Sequence, residues 1–423
     1  MKFFFPDSQD QIDPGFDFDT EERNPFRVRQ RDDLYAHEAL ADRSYDGVLV
    51  SKPIVDGVHG AAGRYTLAQR HRIYRLGVRQ FFRLDTAAGP RIDTMGDCGA
   101  FSYVGDEEPP YTVDEVIDFY DECGFDIGIS VDHVILAYQA PLQAGLFPPE
   151  IDPDWSQRQK LTLELAADFL RRHSERRCRF TPVGVAQGWS PDSYAEAAGE
   201  LQRMGYRRIA LGGMVPLRTQ QILDCVTAVN DIREPATQIH LLGVTRTEHV
   251  ERFSKQGVTS FDSTGPFRRA FKDDRDNYWT VDRTYTAVRV PQVDGNPKLM
   301  RRIVAGQVDQ ANAVSLEQAC MRGLAAYDRG KGGLDEVVES LREYEELWDG
   351  KINRSREYRE LLEDRPWKIC PCGICEEVGV HVALFRGTER NKRRGFHNVF
   401  VFNRKLQESL KGMEIGKYDA AGN

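Results

Sequence analysis

No stretch of this chain approaches the roughly 18 uninterrupted apolar residues that a membrane-spanning helix needs, so no span is expected. The opening Met1-Lys2-Phe3-Phe4-Phe5-Pro6-Asp7 is too short an apolar run for a signal peptide and reads as a first strand. Cysteine is sparse, with eight in 423 residues. Cys98, Cys123, Cys178, Cys225 and Cys320 are scattered and the other three are clustered. That excludes a disulfide framework and suits a reducing cytoplasm with one metal site. Positive charge is not in excess either: the formal net charge is -9. The whole chain is therefore no generic polyanion binder, and any nucleic-acid contact has to come from a local basic patch. There is no internal repeat and no low-complexity tract.

What is present is ordinary for a globular protein, 40% hydrophobic and 29% charged, and ample for a large core. From about residue 125 the chain alternates short apolar runs with longer amphipathic ones. Strands are predicted over 125–131, 179–186, 207–211, 239–242 and 258–261, with helices over 155–172, 194–204, 218–229 and 248–255. Upstream, 46–50 and 81–85 read as strands, 65–76 and 112–123 as helices, and 31–43 as a charged helical run. Strands alternating with helices at this spacing mean βαβ units and a parallel sheet. A (β/α)8 barrel of the TIM type is the best count, and an open doubly wound sheet is the alternative. The barrel is expected over residues 1–300. Residues 301–423 are expected to hold a helical segment, a metal-binding subdomain and a final helix from 404. Residues 266–300 break the rhythm and read as a polar insertion or loop.

In a parallel barrel the active site lies at the carboxyl ends of the strands. The residues expected there are Asp97, Asp132, Gln187, Gly212, Gly213, Gly243 and Asp262. Carboxylates with an amide suit a planar nitrogen heterocycle, and guanine fits: its N1–H and its exocyclic N2–H2 donate to a carboxylate, and its O6 and N7 accept from amides. Phe101 could stack on such a base. Each of these has a plainer reading. A carboxylate at a strand end is often a helix N-cap, a glycine pair is often a tight turn, and Phe101 alone reads as core. His133 and His240 read as hydrogen-bonded core histidines.

Near the end, Cys370-Pro371-Cys372-Gly373-Ile374-Cys375 crowds three thiols into six residues. Three cysteines and a histidine complete a tetrahedral structural zinc shell. His381 and His397 both compete for the fourth position, and His397 is favoured. It would make 386–394 a loop clamped at both ends. Arg386, Arg390, Lys392, Arg393 and Arg394 on that loop read as a phosphate-contacting patch rather than a solvated turn.

Taken together, these residues resemble the tRNA-guanine transglycosylase superfamily over most of the chain. Asp97-Cys98-Gly99-Ala100-Phe101 is similar to the family's Asp-Ser-Gly-Gly/Ala-Phe/Tyr segment, with Cys98 in place of the serine. Asp132, Gln187-Gly188 and Gly212-Gly213 are similar to its base-reading residues. Leu242-Gly243-Val244 is similar to the segment that closes the opposite face of the base. Phe261-Asp262-Ser263 falls where the family has its nucleophilic aspartate, and Cys370, Cys372, Cys375 and His397 match its zinc ligands.

The resemblance implies base exchange in nucleic acid through a covalent Asp262–glycosyl intermediate, with Asp97 as general acid and base and a structural Zn2+. Gly212-Gly213-Met214-Val215-Pro216-Leu217 lacks the acidic residue that suits an aminomethylated base, which favours a 7-deazaguanine such as the nitrile preQ0. Phe4-Phe5-Pro6-Asp7-Ser8 and residues 24–38 resemble the DNA-acting branch, the DpdA-type transglycosylases of 7-deazaguanine DNA modification. DNA is thus favoured over tRNA as substrate, in the cytoplasm, with a homodimer or partner proteins of a DNA-modification system left open. The alternatives are a queuosine- or archaeosine-type tRNA enzyme and a non-catalytic, zinc-stabilised nucleic-acid-binding partner.

Overall fold

The computed structural model describes residues 1–86, 89–140, 150–244, 246 and 249–420. It divides into two compact units. The first comprises residues 1–9, 45–264 and 406–423, and the second 10–44 and 265–405. The boundary thus falls at Gly265 rather than at 300, and the early segment 10–44 belongs to the second unit.

The first unit is a closed barrel of eight parallel strands: β1 (Lys2–Pro6), β2 (Gly47–Ser51), β3 (Asp93–Asp97), β4 (Ile127–Ile129), β5 (Thr181–Ala186), β6 (Arg208–Leu211), β7 (Gln238–Leu241) and β8 (Val258–Asp262). Pairing of β1 with β8, Phe4 opposite Asp262, closes the ring and rules out the open sheet. The barrel interior is filled by Phe4, Leu49, Met95, Ile127, Ile129, Val183, Val185 and Ala210, contributed by six strands. Period-two alternation turns these residues inward together, as a barrel requires. Two glycines admit a helix to the outer face: a Cβ on Gly96 or Gly128 would run into the Tyr120 ring, whose hydroxyl donates to Ile129 O at 2.9 Å. Tyr120 lies on the helix Val113–Cys123, opened by a reciprocal cap between Thr112 and Glu115 and ended at the left-handed Gly124.

Two upstream expectations change. Residues 81–85 are not a strand. The chain there forms the short helix Val78–Phe81 and a 3-10 turn at Leu84–Thr86, which bury Val78, Phe81, Phe82 and Leu84. A short apolar run fits either period, and here the left-handed Gly77 splits two helices. Residues 31–43 hold only the helical turn Ala36–Ala39.

In the second unit, helices Gln310–Asp328, Leu334–Trp348 and Ser355–Asp364 pack in sequence. The expected polar insertion instead contains helix Gly265–Lys272, three two-residue strands and helix Pro297–Val304. The last helix begins at Gly387, not near 404, and runs to Ala420. Residues 386–394 are therefore not a loop.

Candidate active site and metal centre

Strand direction places every carboxyl end of the barrel at one mouth, and the site is assembled there. Asp97 is the last residue of β3 and Asp262 the last of β8. Asp132 lies just beyond β4, and Gln187, Gly212-Gly213 and Leu242-Gly243 directly follow β5, β6 and β7.

Asp132 is buried and held from both sides. Gln187 Nε2 donates to its Oδ2 at 2.6 Å and Cys98 Sγ–H donates to its Oδ1 at 3.0 Å. Cys98 thus places a donor on this carboxylate. The Tyr103 hydroxyl lies 3.2 Å from both Cys98 Sγ and Asp132 O. Burial pushes the Asp132 carboxyl up to about 6, opposed by the Cys98 and Gln187 hydrogen bonds and reinforced by the negative charge of Asp97. Gln187 is fixed in turn, its Oε1 accepting from Ile135 N–H at 3.2 Å. Its side chain occupies the space that a Cβ on Gly212 would need. At Gly213, φ is +69° and an added Cβ would strike Ile135 O, so only glycine lets the backbone approach this closely.

Asp97 accepts from Ser51 Oγ at 2.6 Å, a neighbour set by the β2–β3 register. Burial raises its pKa; the Ser51 and Gly99 hydrogen bonds oppose the shift and the charge of Asp262 adds to it. Such a carboxyl is suited to hold a proton and release it. On Asp262, the two hydrogen bonds from described residues fall on one oxygen: Gly243 N–H donates to Oδ1 at 2.9 Å, and His240 Nε2 lies 3.2 Å from the same atom. Phe101 sits on the 3-10 turn Ala100–Tyr103 and is half exposed, not core. Leu242 packs on the barrel-filling cluster. His133 is a hydrogen-bonded core residue, its ring between Asp106 O and Arg158. His240 is also buried and hydrogen-bonded, but one of its partners is Asp262, which the linear pattern did not reveal. Its signal was polar spacing in β8, where Ser260 and Asp262 face the same way two residues apart.

Within the second unit, Cys370, Cys372, Cys375 and His397 bring their ligand atoms within 4.8 Å of one another. His397 Nδ1 lies 3.5, 3.5 and 3.3 Å from the three sulfurs in chain order. A tetrahedral ion with Zn–S of about 2.3 Å and Zn–N of about 2.0 Å sets sulfur and nitrogen about 3.5 Å apart, so the donor set fits a metal such as zinc. His397 Nε2 is paired with Trp279 O at 2.7 Å, which leaves Nδ1 for the metal, and the Tyr278 ring stacks on the imidazole at 4.4 Å. His381 is elsewhere, stacked on Phe18 and accepting from Arg390 Nε.

The basic patch is overturned. Arg386, Arg390, Arg393 and Arg394 are buried and Lys392 is half-buried. Arg386 is salt-bridged to Glu21 and Glu317, and Arg390 to Glu21. Arg393 is bonded to Glu389 and to Asp13 O, and Arg394 to Leu384 O, Ala270 O and Asn391. Lys392 Nζ donates to Gln11 O at 2.8 Å. Arg390, Lys392 and Arg393 fasten residues 10–44 to the start of the last helix. The four arginines are buried against protein groups and are not presented to phosphate.

The barrel thus gathers three carboxylates, an amide and a glycine-lined backbone at one mouth. No protein-family model matches the sequence. The chain is 48% identical over 414 residues to the DNA-guanine transglycosylase of Salmonella montevideo, which covers 97% of both chains. It therefore belongs to the DNA-guanine transglycosylase family.

Proposed function

We propose that this protein exchanges guanine in DNA for a 7-deazaguanine such as preQ0, in the cytoplasm, by double displacement through Asp262. The observation that carries the reading is the arrangement of Asp262: Oδ1 takes both hydrogen bonds, and among the described residues Oδ2 takes none. An Oδ2 lone pair forms the bond to the sugar C1′ while the C1′–N9 electron pair leaves with guanine, which takes a proton from the Asp97 carboxyl. The incoming base then gives its N9–H proton to Asp97 and attacks C1′, and Asp262 departs as carboxylate. Asp132 and Gln187 read the base edge, the Gly212-Gly213 backbone supplies further hydrogen bonds, and Phe101 and Leu242 cover its faces. The target guanine has to leave its stack to reach the mouth.

The choice of DNA rests on the near-full-length similarity to a relative whose name states that substrate. The metal is taken as Zn2+, held by Cys370, Cys372, Cys375 and His397. A complete protein shell has no open position for chemistry, so the ion is assigned a structural role. Mass spectrometry of nucleosides from the DNA and tRNA of cells with and without the protein tests the substrate. The deazapurine should depend on the protein in DNA; finding it only in tRNA would contradict the reading.

A further inference from the structure

His240 lies inside the barrel on β7, 4% exposed, its edge against the Phe4 ring. Its two nitrogens have two different partners. Nδ1 is 2.9 Å from Ser260 Oγ, and Nε2 is 3.2 Å from Asp262 Oδ1. An ionised carboxylate can only accept, so Nε2 carries the hydrogen toward Asp262. In the neutral ring Nδ1 is then an acceptor, and the Ser260 hydroxyl fills it. The aspartate selects that tautomer, and the serine hydroxyl, able to donate or accept, fixes it by donating to Nδ1. Ser260 and Asp262 lie on one face of β8, and the register sets His240 opposite Ser260, so the three groups are lined up by the sheet itself.

We infer that His240 is the positioning residue for the nucleophile, with Ser260 fixing its tautomer. The inference rests on the role proposed above for Asp262. With Gly243 N–H, the imidazole makes a two-donor clamp on Oδ1 and leaves Oδ2 turned to the sugar. The imidazole N–H orients the carboxylate. The same two donors stabilise the charge that returns to the carboxylate when the second base displaces it. Among the described residues, no hydrogen bond joins His240 to Asp132, Gln187 or Gly212-Gly213, so base affinity should not depend on the clamp.

His240→Phe keeps a ring against Phe4 and removes both nitrogens; His240→Gln keeps an N–H donor. The readouts are the single-turnover rate of covalent adduct formation on a guanine-containing DNA, steady-state kcat, the KM for the incoming base, and thermal unfolding. His240→Phe is expected to lower kcat and the adduct rate about 100-fold, with the KM for the base changed less than about threefold. His240→Gln should recover to within about tenfold of the native rate. A native adduct rate in His240→Phe, or a folded His240→Gln no faster than His240→Phe, would overturn the inference. Should His240→Phe fail to fold, Ser260→Ala carries the test: kcat falls about three- to tenfold at constant KM if the serine sets the tautomer, and stays native if it does not. Asp262→Asn separates the two ideas. Full exchange by that variant would remove the proposed mechanism, whereas loss of exchange there with native rates in His240→Phe would remove only the clamp.

Discussion

Gln187 Nε2 donates to Asp132 Oδ2 at 2.6 Å, and this bond joins the chain just past β4 to the chain just past β5. It holds in place a carboxylate that is buried at a cost to stability. Burial pushes the Asp132 pKa to about 6 from its ordinary 3.8. The folded state therefore binds the proton more tightly than the unfolded state does, and wild-type stability rises as pH falls through that interval.

Asp132→Asn should accordingly stabilise the protein while abolishing base recognition. The gain should be about 1–3 kcal/mol above pH 6 and should vanish below about pH 4, where both forms of the wild-type group are protonated. Thermal or urea unfolding of the two proteins across that range checks it, alongside a binding assay with the free base.

Phe101 is half exposed, so its truncation leaves no cavity. Phe101→Ala is expected to leave the unfolding temperature unchanged and to raise the KM for the base about tenfold, the effect of losing one stacked face. Steady-state kinetics with varied base concentration measures this.

Arg393 is fully buried, bonded at 2.8 Å to Glu389 and at 2.6 Å to Asp13 O. Arg393→Ala leaves Glu389 short of one partner in a dry site and should cost about 2–4 kcal/mol of stability. If the arginine serves the fold and not phosphate, the salt dependence of DNA binding keeps its native slope. Denaturation and salt-titrated binding give the two numbers.

The purified protein should contain about one zinc per chain by metal analysis, from the one four-ligand set among the described residues. Cys372→Ser should lose most of that metal and unfold at least about 5 °C lower, because binding free energy at a structural site is folding free energy.

The barrel could be read in advance because its central strands are buried on both faces and appear as short apolar runs. Asp97, Gln187, Gly212 and Asp262 mark their ends. The cysteine spacing similarly announced a metal site. The arginines of 386–394 misled for a physical reason. A cluster of cations is normally solvated, and only tertiary structure brings Glu21, over 360 residues away, against Arg386 and Arg390. Glu21 records the pairing from its side: burial would raise its pKa, but the two arginines outweigh this and hold it at about 2. His240 was hidden for a related reason. Its partners lie 20 and 22 residues away on the neighbouring strand, and nothing within β7 itself shows that its histidine faces both Ser260 and Asp262.

The central claim is that Asp262 becomes covalently bonded to the sugar. Incubation of the protein with labelled guanine-containing DNA, quenching in denaturant and electrophoresis tests it most directly. A denaturant-stable protein–DNA band is expected for the native chain, discharged by added 7-deazaguanine and absent from Asp262→Asn, which should also fail to release guanine. An Asp262→Asn protein that exchanges the base at the native rate would contradict it.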